Sequence, residues 1–230
     1  MQRSPRANII RHLSAQSSQT HLTFDDGPHP EYTPRVLDVL AAAGTHATFF
    51  MVGIAAEGHA ALTRRVLADG HEVGNHTWSH PHPGLLRAAV ARHEVTAGSI
   101  AIANVIGARP RYFRPPYGRM RRCMTEAAAE QGQSVVLWSL SGKDWGPLGR
   151  ARWIAERLSR ARAGDIVLLH DAPWRYNRPW ETLKVLTAFL SRLKQDGLSS
   201  EALTRDVISE RPVHSAPADP QPSEPPAMRP

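Results

Sequence analysis

Apolar positions along this chain follow two rhythms that take turns. Compact runs such as Ala47 to Val52 (Ala-Thr-Phe-Phe-Met-Val) and Ile166 to Leu169 have the pattern of strands buried on both faces. Between such runs the spacing turns helical. Tyr32, Val36, Val39, Leu40 and Ala43 share one face and stop at Gly44, and Leu183, Leu186, Leu190 and Leu193 line a helix that ends at Gly197. Helices are also predicted over 56–68, 85–106, 122–131 and 150–162, and short strands over 21–24, 71–76, 112–114 and 135–140. Strand and helix therefore alternate about six times, without an internal repeat, which argues for parallel strands joined by helical crossovers. Such a sheet is either closed as a barrel or open and doubly wound. No glycine-rich phosphate loop opens the first helix, which disfavours a nucleotide-binding sheet. The stretch 198–203 is polar and weakly patterned, so the expected closing strand is poor. Residues 1–19 read as a flexible N-terminal lead-in, 20–205 as one catalytic domain, and 206–230 as a disordered Pro-rich tail with too little apolar surface to fold.

Composition narrows the class. A chain of 230 residues is long enough for a proper single-domain core, and 41% hydrophobic with 21% charged residues is the balance of a soluble globular protein. No run approaches the length of a membrane span. The first twenty residues carry arginines but no continuous apolar segment, so no secretory signal is read there and a cytoplasmic location is the default expectation. Cys123 stands alone, which rules out an internal disulfide and a cysteine-rich zinc module. The net charge of +7 invites anionic partners, but the arginines are scattered over helix faces rather than gathered in a stripe, which argues against nucleic acid.

Candidate chemistry collects at one kind of place. Asp25-Asp26, His76, Arg114, Asp144 and His170 each fall at or just past the C-terminal end of a predicted strand, and in a parallel barrel those ends share one rim. Each has an ordinary reading when taken alone: a solvated Asp-Asp-Gly turn, a packed histidine, a structural ion pair. Their coincidence favours a site. Alternation along a strand should point Asp25 and Asp26 different ways, a metal suiting one and a buried arginine the other. His76 and His80, four apart, would share the face of a helical turn and grip one ion. With Asp26 they make a two-histidine, one-carboxylate set suited to zinc, cobalt or another divalent transition ion doing hydrolysis. Thr77 and Ser79 are candidate hydrogen-bonding neighbours of that set. Asp25 is placed to act as base with Arg114 holding it ionised, and Asp144 would keep His170 protonated as an acid. Trp174, Tyr176 and Trp180 follow in a Pro-rich loop, where stacking on sugar rings and packing onto the domain are equally good readings.

Five segments in order carry a resemblance: Thr23 to Pro28, His76 to His80, Arg111 to Gly118, Asp144-Trp145, and Leu168-Leu169-His170. Over about residues 20–195 the chain resembles the polysaccharide deacetylase family, the NodB-homology domain of carbohydrate esterase family 4, and within it the chitooligosaccharide deacetylases. The resemblance implies an α/β fold, a distorted parallel (β/α) barrel of about seven strands. It also implies metal-dependent hydrolysis of N-acetyl groups on N-acetylglucosamine-containing saccharides, with no obligate protein partner. By position, Asp25 resembles the catalytic base, Arg114 the residue orienting it, His170 the general acid and Asp144 its tuning partner. Asp26, His76 and His80 resemble the metal ligands, Tyr117 the residue whose backbone N–H helps hold the oxyanion, and Trp145 with Leu168 the walls of the acetyl pocket. Ser141 departs from the pattern, standing where members often carry a further aspartate. Two rival readings keep the same site: an esterase removing O-acetyl groups, and a sugar-binding relic that retains a metal for structure.

Overall fold

A computed structural model describes residues 7–15 and 18–204. The tail expected over 206–230 lies outside the described residues. In chain order the strands are β1 (Ile9–Ile10), β2 (Gln19–Asp25), β3 (Thr48–Met51), β4 (Glu72–Asn75), β5 (Tyr112–Phe113), β6 (Ser134–Val136), β7 (Leu140–Ser141), β8 (Ile166–His170) and β9 (Ser199–Ser200). The helices are α1 (Tyr32–Ala43), α2 (Gly53–Gly58), α3 (Ala60–Ala68), α4 (Ala88–Ile106), α5 (Arg122–Glu130), α6 (Ala151–Leu158) and α7 (Pro179–Gln195). The sheet order is β1-β6-β5-β4-β3-β2-β8-β7, with β9 on the start of β2, and each of these strand pairs is parallel.

That order shows how the sheet curls. The stretch expected as one strand over 135–140 is two, because β6 and β7 pair at opposite ends of the sheet although only residues 137–139 separate them. One short segment therefore bridges the seam, and the sheet bends into a distorted barrel-like wall. The weak stretch 198–203 supplies β9, which pairs Gln19 with Ser199 and Thr20 with Ser200 at the bottom of β2 rather than closing the seam.

Strand alternation then sorts the side chains. On β2, β3 and β8, Leu22, Phe24, Phe49, Met51, Val167 and Leu169 join the cluster under the helices. The opposite face carries Phe50 and Ile166, packed with Ile10, Leu13, Tyr112, Val136 and Leu203. Ile10 and Leu13 correct the reading of 1–19 as a flexible lead-in. Ile9 and Ile10 pair with Val135 and Val136, and both Ile10 and Leu13 are buried. Two further boundaries differ. The helix expected over 56–68 is broken at His59, whose φ of −123° and ψ of 46° are not helical, and the one expected from 85 begins at Ala88 after a 3-10 turn over Pro83–Leu85.

Candidate metal centre and active site

Parallel pairing sets Asp25 beside Phe50 on one flank and His170 on the other. Asp25 and His170 thus emerge side by side at the C-terminal ends of β2 and β8, on the strand face opposite Phe24 and Leu169. Arg114, one residue past β5, is fully buried beneath them. Its Nη1 donates to Asp25 Oδ1 and Thr23 Oγ1, both at 2.7 Å, its Nε to the Val136 carbonyl at 3.1 Å and its Nη2 to the Leu137 carbonyl at 3.0 Å. The guanidinium lies 4.0 Å from the Phe50 ring centroid. A charge this deep is tolerated because its donors are matched by two carbonyls, a hydroxyl and a carboxylate.

Asp26 does not continue the strand. Its φ of +76° is left-handed, and Thr77, His80 and Tyr117 nearby are left-handed as well, at +70°, +56° and +59°. Each such non-glycine residue costs on the order of 1–3 kcal/mol and persists only where surrounding contacts over-determine it. The turn at Asp26 overrides simple alternation. Instead of pointing apart, Asp25 Oδ2 and Asp26 Oδ1 both face His76 Nε2, at 3.7 and 3.3 Å. His80 Nε2 is 3.0 Å from the same Asp26 Oδ1.

Asp26, His76 and His80 form a buried group of potential metal ligands, the only one among the described residues, each with a ligand atom within 4.8 Å of the others. The donor set itself tests the fit to a divalent ion. Asp26 Oδ1 is buried and has no hydrogen-bond donor among the described residues, although two imidazole nitrogens converge on it. His76 Nδ1 lies 2.7 Å from the Arg114 carbonyl, an acceptor only, so Nδ1 carries the proton and Nε2 presents its lone pair. A buried carboxylate oxygen without a donor, with two imidazole Nε2 atoms converging on it, is what a divalent transition ion requires.

The two histidines do not ride on a helical turn, as their spacing predicts. They lie on the irregular segment after β4, pinned against α4. Ser79 N and Oγ donate to the two Glu94 carboxylate oxygens at 2.9 Å, and the Trp78 amide to the Glu94 carbonyl at 2.9 Å. Thr77 Oγ1 accepts from the His80 amide at 3.1 Å. Thr77 and Ser79 therefore shape the loop rather than touch the imidazole rings. Buried Asn75, joined to Val95, Gln133 and Thr77, locks the end of β4.

On the other side, Asp144 is fully buried. It accepts from the His170 amide (2.8 Å) and Thr182 Oγ1 (2.8 Å) through Oδ2, and meets His170 Nδ1 at 2.7 Å through Oδ1. Burial alone would lower the pKa of His170. The Asp144 charge and hydrogen bond, with Asp26 and Asp25 behind them, push it up to about 9. Ser141, at the departure from the family pattern, only accepts from the Lys143 amide, and Thr182 supplies the additional contact to Asp144. Trp145 sits edge-on to His170, with ring centroids 5.5 Å apart, and Leu168 is buried one residue pair below it on β8. Tyr117 is half-exposed, its ring 5.0 Å from that of His80.

The structure thus brings nine of the ten sequence-derived candidates to one rim, with Leu168 one residue pair below it on β8. Of the aromatic loop, Trp174 joins the site, 5.3 Å from the His80 ring, whereas Trp180 packs toward Tyr32 and Tyr176 is 69% exposed. Sequence reasoning missed Asn177, Thr182, Glu94 and Asp171. Asp171 is fully buried, accepts from Thr33 Oγ1 at 2.5 Å, and is raised by burial, against that hydrogen bond and with Asp26 and Asp25 adding, to about 7. None of these four lies in a spacing pattern that announces a role; only the adjacency of Asp171 to His170 could have flagged it.

The profile of the family described as polysaccharide deacetylase matches residues 14–136. A chitooligosaccharide deacetylase of Bradyrhizobium sp. is 42% identical over 152 residues, covering 66% of this chain and 69% of the relative. A peptidoglycan-N-acetylglucosamine deacetylase of Bacillus cereus is 36% identical over 178 residues, covering 76% and 82%. In three dimensions the chain superposes on a peptidoglycan N-acetylglucosamine deacetylase crystallised with an N-hydroxybenzamide compound, at a TM-score of 0.81 and 28% identity over 89% of this chain and 94% of that one. With the fold, the matched profile and the sequence relatives in agreement, the chain belongs to the polysaccharide deacetylase family.

Proposed function

We propose that the chain is a zinc-dependent N-deacetylase of N-acetylglucosamine-containing saccharides, with soluble chitin-type oligosaccharides as substrate. Deacetylases of this family use a divalent metal, and the Asp26, His76, His80 group is the set that would hold it. Two imidazoles and one carboxylate suit zinc, and the relatives named above act on chitooligosaccharides and on peptidoglycan N-acetylglucosamine.

One observation carries the reading. The ligand group is flanked by two proton-transfer groups, each tied to a buried partner of opposite charge type: Asp25 to Arg114 and His170 to Asp144. A metal at the ligand group supplies Lewis acidity to the amide carbonyl and to the attacking water. Asp25 keeps Oδ2 free for a proton because Arg114 occupies Oδ1, and so acts as the base that removes one from the water. The carbonyl carbon gains a C–O bond, and the Tyr117 backbone N–H faces the developing oxyanion. His170, with Nδ1 occupied by Asp144, offers the proton on Nε2 to the departing nitrogen; the C–N bond breaks and acetate and a free amine leave. Trp145 and Leu168 wall the methyl side.

Purified protein incubated with defined N-acetylchitooligosaccharides, peptidoglycan fragments and acetylxylan distinguishes the substrates by acetate release and product mass, and elemental analysis identifies the metal. Turnover of the chitooligosaccharides that is abolished by chelation and restored by zinc is the expected result. Acetate from acetylxylan alone, or from none of the three, overturns the reading.

A further inference from the structure

Asp26 has two carboxylate oxygens, and the ligand group uses only one. Oδ1 faces both imidazoles, while Oδ2 turns the other way and accepts a hydrogen bond from Asn177 Nδ2 at 2.5 Å. An ionised carboxylate only accepts, so the amide must present its nitrogen there. Asn177 does not reach the site as a stray surface group. Its backbone forms an antiparallel bridge with Trp145, and on either side the Gly146 amide donates to the Tyr176 carbonyl (2.9 Å) and the Arg178 amide to the Asp144 carbonyl (2.8 Å). The Asn177 amide also donates to the Trp174 carbonyl at 2.9 Å, closing a tight turn under the indole that lies against His80. The strap over 174–178 is therefore fastened to the segment that carries Asp144 and Trp145, and its one inward polar side chain ends on the metal-side carboxylate.

We propose that Asn177 is a positioning residue for Asp26, fixing the carboxylate so that it offers Oδ1 alone, and this rests on the reading of Asp26, His76 and His80 as metal ligands. A carboxylate free to rotate would offer either oxygen or both, and would take up a coordination position needed by water and substrate. A neutral amide suits this place. It fills Oδ2 without cancelling the negative charge that a divalent ion requires, as a lysine or arginine would.

The test is a zinc titration of metal-free protein in competition with a chromophoric chelator, for the wild type, Asn177→Ala, Asn177→Asp and Tyr176→Ala. Asn177→Ala is expected to bind zinc about 10–100-fold more weakly, the usual effect of removing a partner that orients a ligand. Asn177→Asp, of the same shape but placing a second carboxylate against Oδ2, should lose at least as much. Tyr176→Ala removes an exposed side chain from the same strap and should leave zinc affinity unchanged. Turnover of Asn177→Ala should recover toward the wild-type rate as zinc is raised, which damage to the loop would not allow, and the metal-free variants should melt with the wild type. Asn177→Ala binding zinc within twofold of the wild type, or Asn177→Asp binding as tightly as it, overturns the inference while leaving the metal site standing. A wild type that takes up no divalent ion overturns both.

Discussion

Arg114 is the largest fully buried side chain among the described residues, and its contacts explain why it is an arginine. Two carbonyls and a hydroxyl take three of its donor directions, so the fork reaches Asp25 in a fixed orientation that the single ammonium of a lysine would not reproduce. Arg114→Met should therefore do more than lower turnover. It leaves the Asp25 carboxylate buried without its counter-charge, a change that typically costs about 3–5 kcal/mol. Urea unfolding at neutral pH measures this, and a midpoint equal to that of the wild type would contradict it. His170 gives the matching pH argument. Its folded pKa, about 9, lies above the ordinary histidine value, so its stabilising contribution is fully present below about pH 6.5 and is lost as pH rises through about 9. The same proton is the one offered to the leaving nitrogen, so turnover should fall along an alkaline limb. A bound cation offsets the Asp26 charge, which places that limb in the loaded enzyme below 9. Asp144→Asn removes the main cause of the rise, and its limb should lie at lower pH by about one unit or more. Coincident limbs in the two kcat profiles would show that Asp144 does not tune His170.

At the scale of elements, the histidine loop depends on how closely α4 approaches it. Gly98 permits that approach: a Cβ there would stand 2.5 Å from Asn75 Oδ1 and 2.6 Å from the carbonyl carbon of Thr77. The second of these is backbone, so Gly98→Ala cannot be absorbed by a rotamer change. It should cost about 1–3 kcal/mol as an overpacked contact and weaken zinc binding by displacing His76 and His80. Thermal melts and the zinc titration together check this; a stabilised variant with full affinity would refute it. The same region shows where sequence is legible and where it stops. Alternation along the chain predicts the strand over 21–24, which is the core of β2, but the separation it implies for Asp25 and Asp26 is lost to the left-handed turn at Asp26. The His-x3-His spacing carried the correct pairing but the wrong local structure, because the left-handed turns at Thr77 and His80 leave no mark on residue types. The strands at Ile9–Ile10 and Leu140–Ser141 are two residues long, too short for any period to show. Asn177 and Thr182 reach the site through pairing of segments distant in sequence, which no local pattern encodes.

The whole molecule joins these parts through its first strand. The β1 strand lies on the outer edge of β6, and the Leu137 amide, at the start of the seam-bridging segment, donates to the Ile10 carbonyl at 2.8 Å. Val136 and Leu137 are also the residues whose carbonyls hold Arg114. A short chain of contacts therefore runs from Ile10 through Leu137 to Arg114 and so to Asp25. A chain beginning at Ser18 loses β1 together with the buried side chains of Ile10 and Leu13. Truncating either of these to alanine costs roughly 2–5 kcal/mol at a typical core site, so losing both takes about 4 kcal/mol or more from a total of the order of 5–15. Where the shortened protein still folds, the loss should be uneven. Asp26, His76 and His80 are held from β2, the loop after β4, α4 and the main-chain carbonyl of Arg114 rather than its guanidinium, so zinc affinity should largely survive, whereas kcat should fall as the guanidinium loses its fixed carbonyls. Urea unfolding, zinc titration and steady-state kinetics on the two lengths of chain separate these effects. Unchanged stability would show that β1 is an ornament on the sheet, and equal losses of zinc affinity and kcat would show that the base and the metal site are not independently supported.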